Sequence, residues 1–322
     1  MKVSEFKLRH RFIKSFDVYP SRDIMKRQTH ELEYTKLCFV LHLYWIGPLV
    51  QHAPGLLKYY ETIWPLISSH VTTFRDNKKR RVPAKFKKDT GEVLRSWLQD
   101  PVNAPKMMAL MDIYNKTWDP EAADVRLNFR GLDFRGGGGF ELYLPAEWAE
   151  SRPKEMRDLC ANLAGSFEFC SGLAGYGLCH GEDVGATAAL RNKYAIGRHH
   201  PGVDVETTIS NNAGQGIKGV NWLTFLHPNF INQFGGMDAL KTALNLPGVE
   251  VQDLAAGGVM IQAGPTPEIG DTNAQETCPY YHQVGRALHP IRDKKFPGMI
   301  NSESGNQCDA ERTEEWLSRF DE

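Results

Sequence analysis

The chain has 322 residues, 41% hydrophobic and 24% charged, which excludes disordered, collagenous and membrane-bundle classes. The net charge of −1 hides a polarity along the chain: residues 1–100 carry 19 Lys/Arg against 10 Asp/Glu, and residues 101–322 carry 19 against 29. The start lacks the apolar region of a signal peptide, the longest apolar run (37–50) is shorter than the ~20 residues of a spanning helix, and six scattered cysteines without a Cys-x-x-Cys read as reduced thiols, so the cytoplasm is the expected compartment.

Residues 1–36 are polar, with irregularly spaced aromatics, and His30 to Tyr34 reads as a solvated stretch. Leu37–Ile46 reads as a strand buried on both faces. Leu56, Tyr60, Ile63, Trp64 and Ile67 fall at helical spacing and predict a helix over Pro54–Val71, which Pro65 should kink or divide. Residues 75–88 hold eight Lys/Arg against Asp76 alone. Val93, Leu94, Trp97 and Leu98 predict a short helix ending near Asp100.

In the middle, Val125, Leu127 and Phe129 alternate with polar residues, as do Phe140, Leu142 and Leu144, which predicts a hairpin of two half-buried strands with the Gly136–Gly139 run as its flexible loop. Met156, Leu159, Cys160, Leu163 and Phe167 mark an amphipathic helix. The glycine-studded apolar segment 167–181 reads as a central strand whose glycines admit close neighbours. A helix over 182–196, a strand over 219–226, a short helix at Met237, Leu240 and Leu244, and a hairpin of 249–254 with 259–261 follow. Tyr280, Tyr281, Val284, Leu288 and Ile291 mark another helix, and Trp316, Leu317 and Phe320 share one face of a last one. Interspersed helices and recurrent hairpins give an α+β class, with mixed or antiparallel sheets covered by helices and two pseudo-repeated lobes left open. The expected organisation is a basic lobe over 1–120 and an α+β lobe over 121–322, packed as one unit.

Standard chemistry is missing at the level of motifs. No Gly-Lys exists for a P-loop, no Gly-x-Ser-x-Gly elbow is present, and Gly172, Gly175 and Gly177 run in the wrong order for a dinucleotide fingerprint. His199-His200 sits in an expected loop where adjacent side chains diverge, and Cys278 and His282 share a helical face without a second ligand pair. No catalytic, cofactor or metal residue is assigned. The basic stretch with Phe74 and Phe86 could bind nucleic acid, but a solvated loop or helix face is the simpler reading.

Five segments carry a resemblance: FELYLP (140–145), GLAGYGLCHG (172–181), GVNWLTFLHPNFINQFGG (219–236), LAAGGVMIQAGPTPEIGDTN (254–273) and YYHQVGRALHPIR (280–292). Together they resemble the TsiV-type bacterial type VI secretion immunity family (type VI immunity for VRR-nuclease). Gly257, Gly258, Gly264 and Gly270 in them stand where turns demand glycine. The resemblance implies a cytoplasmic, non-enzymatic protein that binds and neutralises a DNA-degrading effector toxin encoded nearby. It implies no cofactor, no membrane partner and no direct nucleic-acid binding, and leaves a homo-oligomer open. A DNA-cutting surface is positive, so an acidic inhibitor face would complement it. Residues 303–322 hold seven acidic residues against two basic ones, and Glu303, Asp309, Glu311, Glu314 and Glu315 are the candidate toxin contacts. A solvated helix docked through Trp316, Leu317 and Phe320 is the competing reading of the same segment.

Overall fold

The structure is a computed structural model and describes residues 1–18, 28–76, 84–86, 90–104, 109–116, 121–132, 137–181, 184–205, 214, 216–292 and 310–321. Among these, eleven strands form one sheet: β1 (Phe12–Val18), β2 (Gln28–Ile46), β3 (Thr73–Asp76), β4 (Ala84–Lys85), β5 (Ala109–Tyr114), β6 (Arg126–Leu132), β7 (Gly137–Pro145), β8 (Ser171–His180), β9 (Leu223–Leu226), β10 (Val249–Asp253) and β11 (Val259–Ala263). The order is β10-β11-β9-β8-β2-β7-β6-β5-β3-β4, with β1 paired to the first half of β2, and each strand pairing is antiparallel. Ten helices accompany the sheet: α1 (Val3–Arg9), α2 (Leu49–Ile67), α3 (Thr90–Gln99), α4 (Ala146–Ser151), α5 (Pro153–Ala164), α6 (Val184–His199), α7 (Pro228–Phe234), α8 (Met237–Ala243), α9 (Pro279–Leu288) and α10 (Ala310–Leu317). The class is α+β, as expected. The pseudo-repeated lobes are not confirmed, because one sheet takes strands from both halves.

The long β2 organises the sheet. Its register aligns Leu41 with Leu142, Leu127 and Ile113 on successive strands, and Leu43 with Phe140, Phe129 and Met111. These rows are fully buried and form the principal core with α2, whose Tyr59 ring stacks on Phe140 at 4.3 Å. The expected strand over 37–46 is therefore present but begins nine residues earlier, at Gln28. The stretch His30–Tyr34 is strand rather than solvated chain: Leu32 and Tyr34 are buried while Glu31 is exposed. The alternation of apolar and charged residues there is a strand signal carried by only two apolar side chains.

The alternate face of β5, β6 and β7 departs from expectation. Both strands of the hairpin were expected to be half-buried, yet their polar residues are covered too. The ladder places His42, Glu141, Asn128, Asp112 and Arg75 side by side across five strands, each at most 6% exposed. Burial of such a row requires internal partners. The Arg126 guanidinium donates to both Asp112 oxygens at 2.8 Å, Arg130 Nε–H to Asn128 at 3.0 Å and the Tyr143 hydroxyl to Glu141 at 3.3 Å. Burial raises the Glu141 carboxyl above its ordinary range, against the pull of Arg130 and Arg126. Polarity in the sequence therefore marks the second face of these strands but not its exposure.

Glycines and prolines explain other departures. Gly137, Gly138 and Gly139 belong to β7 and not to a flexible loop; a Cβ at Gly138 would lie 2.1 Å from the Trp45 ring, so the bare backbone is what admits the indole. Gly172, Gly175 and Gly177 do admit close neighbours on β8, as expected for a central strand. Pro65 does not divide α2, which runs through Pro54 and Pro65 alike and buries Leu56, Tyr59, Tyr60, Ile63 and Ile67. That burial, roughly 1.5–3 kcal/mol per side chain, outweighs the ~3 kcal/mol of one interior proline. The helix of 156–167 ends at Ala164, and the strand of 219–226 is confined to Leu223–Leu226. The hairpin of β10 and β11 turns through Gly257 and Gly258 at φ +88° and +79°, and Gly264 and Gly270 also have positive φ.

No helix among the described residues is long and apolar enough to cross a membrane. Cys38, Cys160, Cys170, Cys179 and Cys278 are free thiols.

Candidate functional site

The acidic candidates divide between residues outside the described ones, Glu303 and Asp309, and three on α10, Glu311, Glu314 and Glu315. Helical periodicity splits α10 into two faces. Trp316 and Leu317, with Phe320 just beyond, are buried, and the three glutamates are exposed. The docked helix of the competing reading is thus present, and its outer face is acidic. Two of the glutamates also serve the fold. Glu314 pairs with Arg292 at 2.7 Å, and Glu315 accepts from the Tyr194 hydroxyl and lies 3.6 Å from Arg198.

Beneath α10 lies the Lys218–Asp204 ion pair, with both carboxylate oxygens 2.8 Å from the ammonium and side chains 6% and 1% exposed. Lys218 Nζ sits 5.2 Å from the Trp316 ring centroid, and the Arg319 guanidinium sits 4.1 Å from it. Gly197 on α6 makes room for this indole, since a Cβ there would come within 2.7 Å of it. Arg319 donates to the carbonyls of Pro201 and Trp316, each at 2.8 Å. Between α6, α9 and α10 a cavity of about 360 Å³ remains, walled by Arg198, Arg319, Tyr194, His282 and Glu315.

The remaining candidates fall elsewhere. Arg75 of the basic stretch is a buried strand residue opposite Asp112, which removes it from a solvated surface; Lys85 is exposed, and 77–83 and 87–89 lie outside the described residues. Cys278 caps α9 and is pushed above its ordinary thiol range by burial beside Glu268, while His282 packs on Phe320. Among the described residues no group of three or more His, Cys, Asp or Glu could hold a metal ion.

His199 and His200 are not a loop pair. His199 ends α6, and His200 turns inward to meet His10, 190 residues away, at 2.8 Å between Nε2 atoms. His200 Nδ1 lies 2.9 Å from the Gly270 carbonyl, which only accepts, so this nitrogen carries the proton and Nε2 accepts from His10 Nε2–H. No spacing in the sequence could reveal this contact. It pins α1, whose Arg9 also pairs with Asp271 at 2.8 Å and Lys7 with Glu147 at 2.7 Å. Protonating His200 at Nε2 would set two donors against each other. Burial lowers both histidines, reinforced at His10 by His200, His199 and Arg9 against the opposing pull of Asp271. An unfolded chain then binds protons more readily from about pH 6.5 downward, so this contact's stabilisation is present above that pH and lost below it. Melting curves between pH 7.5 and 5.5 should show a drop in Tm that shrinks in His10→Gln, which keeps a donor but does not titrate. An equal drop in the variant would assign the effect elsewhere.

Comparison with known proteins agrees with this architecture. The family model described as "Type VI immunity for VRR-NUC", TsiV, matches residues 82–320. No curated protein matches the chain. Among solved structures, the Pseudomonas aeruginosa T6SS protein PA0821 superposes with a TM-score of 0.78 at 18% identity, covering 97% of this chain and 88% of that one. At that identity the likeness is one of fold. With the family match spanning most of the sequence, and with the resembling segments occupying β7, β8, β9, β11 and α9, the chain belongs to the TsiV family of type VI immunity proteins.

Proposed function

We propose that this protein protects its host by binding a VRR-NUC effector of the type VI secretion system and occluding its active or DNA-binding surface in the cytoplasm. The family match is the observation that carries this reading. The physical support is the acidic remainder of the chain, 29 Asp/Glu against 19 Lys/Arg over 101–322, which suits a partner whose surface attracts phosphates. The exposed face of α10 offers Glu311, Glu314 and Glu315, continued in the sequence from Glu303 and Asp309, as the first contacts. No step of turnover is invoked. Burial of Arg75 leaves the alternative, nucleic-acid binding by residues 75–88, with fewer cations than the sequence promised.

The test is a titration of the effector's cleavage of plasmid DNA with this protein. One equivalent should abolish cutting and co-elute with the effector; undiminished cutting at a large excess would refute the proposal. Removing residues 303–322 is a poor probe of the interface, because it strips Trp316, Leu317 and Phe320 from the core. Glu311→Lys with Glu314→Gln and Glu315→Gln keeps those anchors and sets no lysine against Arg292 or Arg198. This triple variant should weaken the complex by on the order of tenfold, about 1.4 kcal/mol, mostly through slower association at low salt. Unchanged association rates by surface plasmon resonance would move the interface away from α10.

A further inference from the structure

The cavity beside α10 is unbalanced in charge. Two guanidinium groups, Arg198 and Arg319, face one carboxylate, Glu315, which is already engaged by Arg198 and Tyr194. Arg319 is the informative member. A guanidinium carries five N–H donors, and the acceptors found for Arg319 are two neutral carbonyls. No carboxylate among the described residues lies within ion-pair distance of it, because Asp204 is held by Lys218 and Asp321 by Arg292. Burial pulls its pKa down to about 10, outweighing the upward pull of Asp204 and Asp321, neither of which is in ion-pair contact with it. Arg198, 63% exposed and 3.6 Å from Glu315, lines the same cavity.

Resting on the function proposed above, we infer that this cavity receives a carboxylate side chain of the VRR-NUC effector, bound between Arg198 and Arg319. The forked donors of arginine match a carboxylate in two parallel hydrogen bonds. The geometry favours a side chain over a free anion, because Glu315 both walls the cavity and belongs to the exposed row of α10. A partner lying along that row would meet acidic residues outside and basic ones within. Such alternation fixes register and penalises a partner with the wrong sign at either place. The 360 Å³ also leaves space for the aliphatic stem that carries the charge.

Calorimetric titration of the effector into the full-length protein tests this, with Arg198→Glu as the main variant, because its exposed side chain carries no part of the core. At least a tenfold loss of affinity is expected, restored when one effector Asp or Glu is changed to Lys. Arg319→Gln, checked for an unchanged melting curve, should show a loss of similar size. Inorganic phosphate at 10 mM serves as the second arm and should leave both the free protein and the complex unaffected. The inference is overturned if wild type binds the effector and Arg198→Glu binds equally well. It is likewise overturned if phosphate binds the free protein in an Arg198-dependent way while effector affinity stays constant, which would make this a small-anion site. Failure of the wild type to bind the effector at all is a separate result, which removes the functional proposal and the inference with it.

Discussion

Replacing Asp204 with alanine should cost about 3–5 kcal/mol of stability, because it takes the bidentate carboxylate away from a buried ammonium, that of Lys218. The two side chains are almost fully buried, and the ammonium contacts both carboxylate oxygens at 2.8 Å. Removing one partner of such a pair leaves an uncompensated charge, whereas removing both leaves only a packing problem. Urea denaturation should therefore show Asp204→Ala far below wild type, and Asp204→Leu with Lys218→Met close to it. Equal losses in the single and double variants would show that something other than the uncompensated charge sets the cost. The consequence reaches α10, because Lys218 also supports the Trp316 ring. If the proposed function holds, the single variant should weaken effector binding as well as stability.

The second large effect is expected at Trp45, which is 1% exposed, stacks near Phe129 at 5.9 Å and meets Phe167 edge-on at 6.1 Å. Trp45→Ala should cost about 3–5 kcal/mol through lost burial and the cavity left behind. Its cross-strand partner is Gly138, where a Cβ would clash with the indole at 2.1 Å and with the Arg130 carbonyl at 2.2 Å. Gly138→Ala should therefore cost at least the upper end of the ~1–3 kcal/mol of overpacking in wild type, and less once Trp45 is alanine. The carbonyl clash remains, so the relief is partial. Strict additivity of the two substitutions in denaturant titrations would contradict this account.

These sites illustrate which parts of the fold could be read in advance. Local patterns were legible: the strand 171–180 from its glycines, the hairpin around Gly257 and Gly258, the helix at Tyr281, Val284 and Leu288, and the buried face of α10 at Trp316 and Leu317. Each of these rests on spacing within a dozen residues. What escaped depends on pairing between distant segments. The short β3 and β5 have no period of their own, and they are fixed by registers such as Arg75 with Asp112. The Arg126–Asp112 and Lys218–Asp204 pairs, and the contact of His10 with His200, join residues that no motif connects. The acidic candidates at the C-terminus were visible as charge, but not as partners of Arg292, Tyr194 and Arg198.

The central position of β2 also sets an order of events during synthesis. Leu41 lies opposite Leu142 on one side and Ala174 on the other, so the apolar half of β2, beyond the residues that pair with β1, has no sheet neighbour until β7 begins at Gly137, 91 residues after Ile46. Pairings of such sequence separation fold slowly and leave a sticky edge open meanwhile. A nascent chain of this protein should therefore hold a hydrophobic strand unpaired while β7 and β8 are still inside the ribosome. The central pairings of β2 are then complete only after about residue 180 has emerged, and chaperones that bind exposed apolar segments should engage the chain before that point.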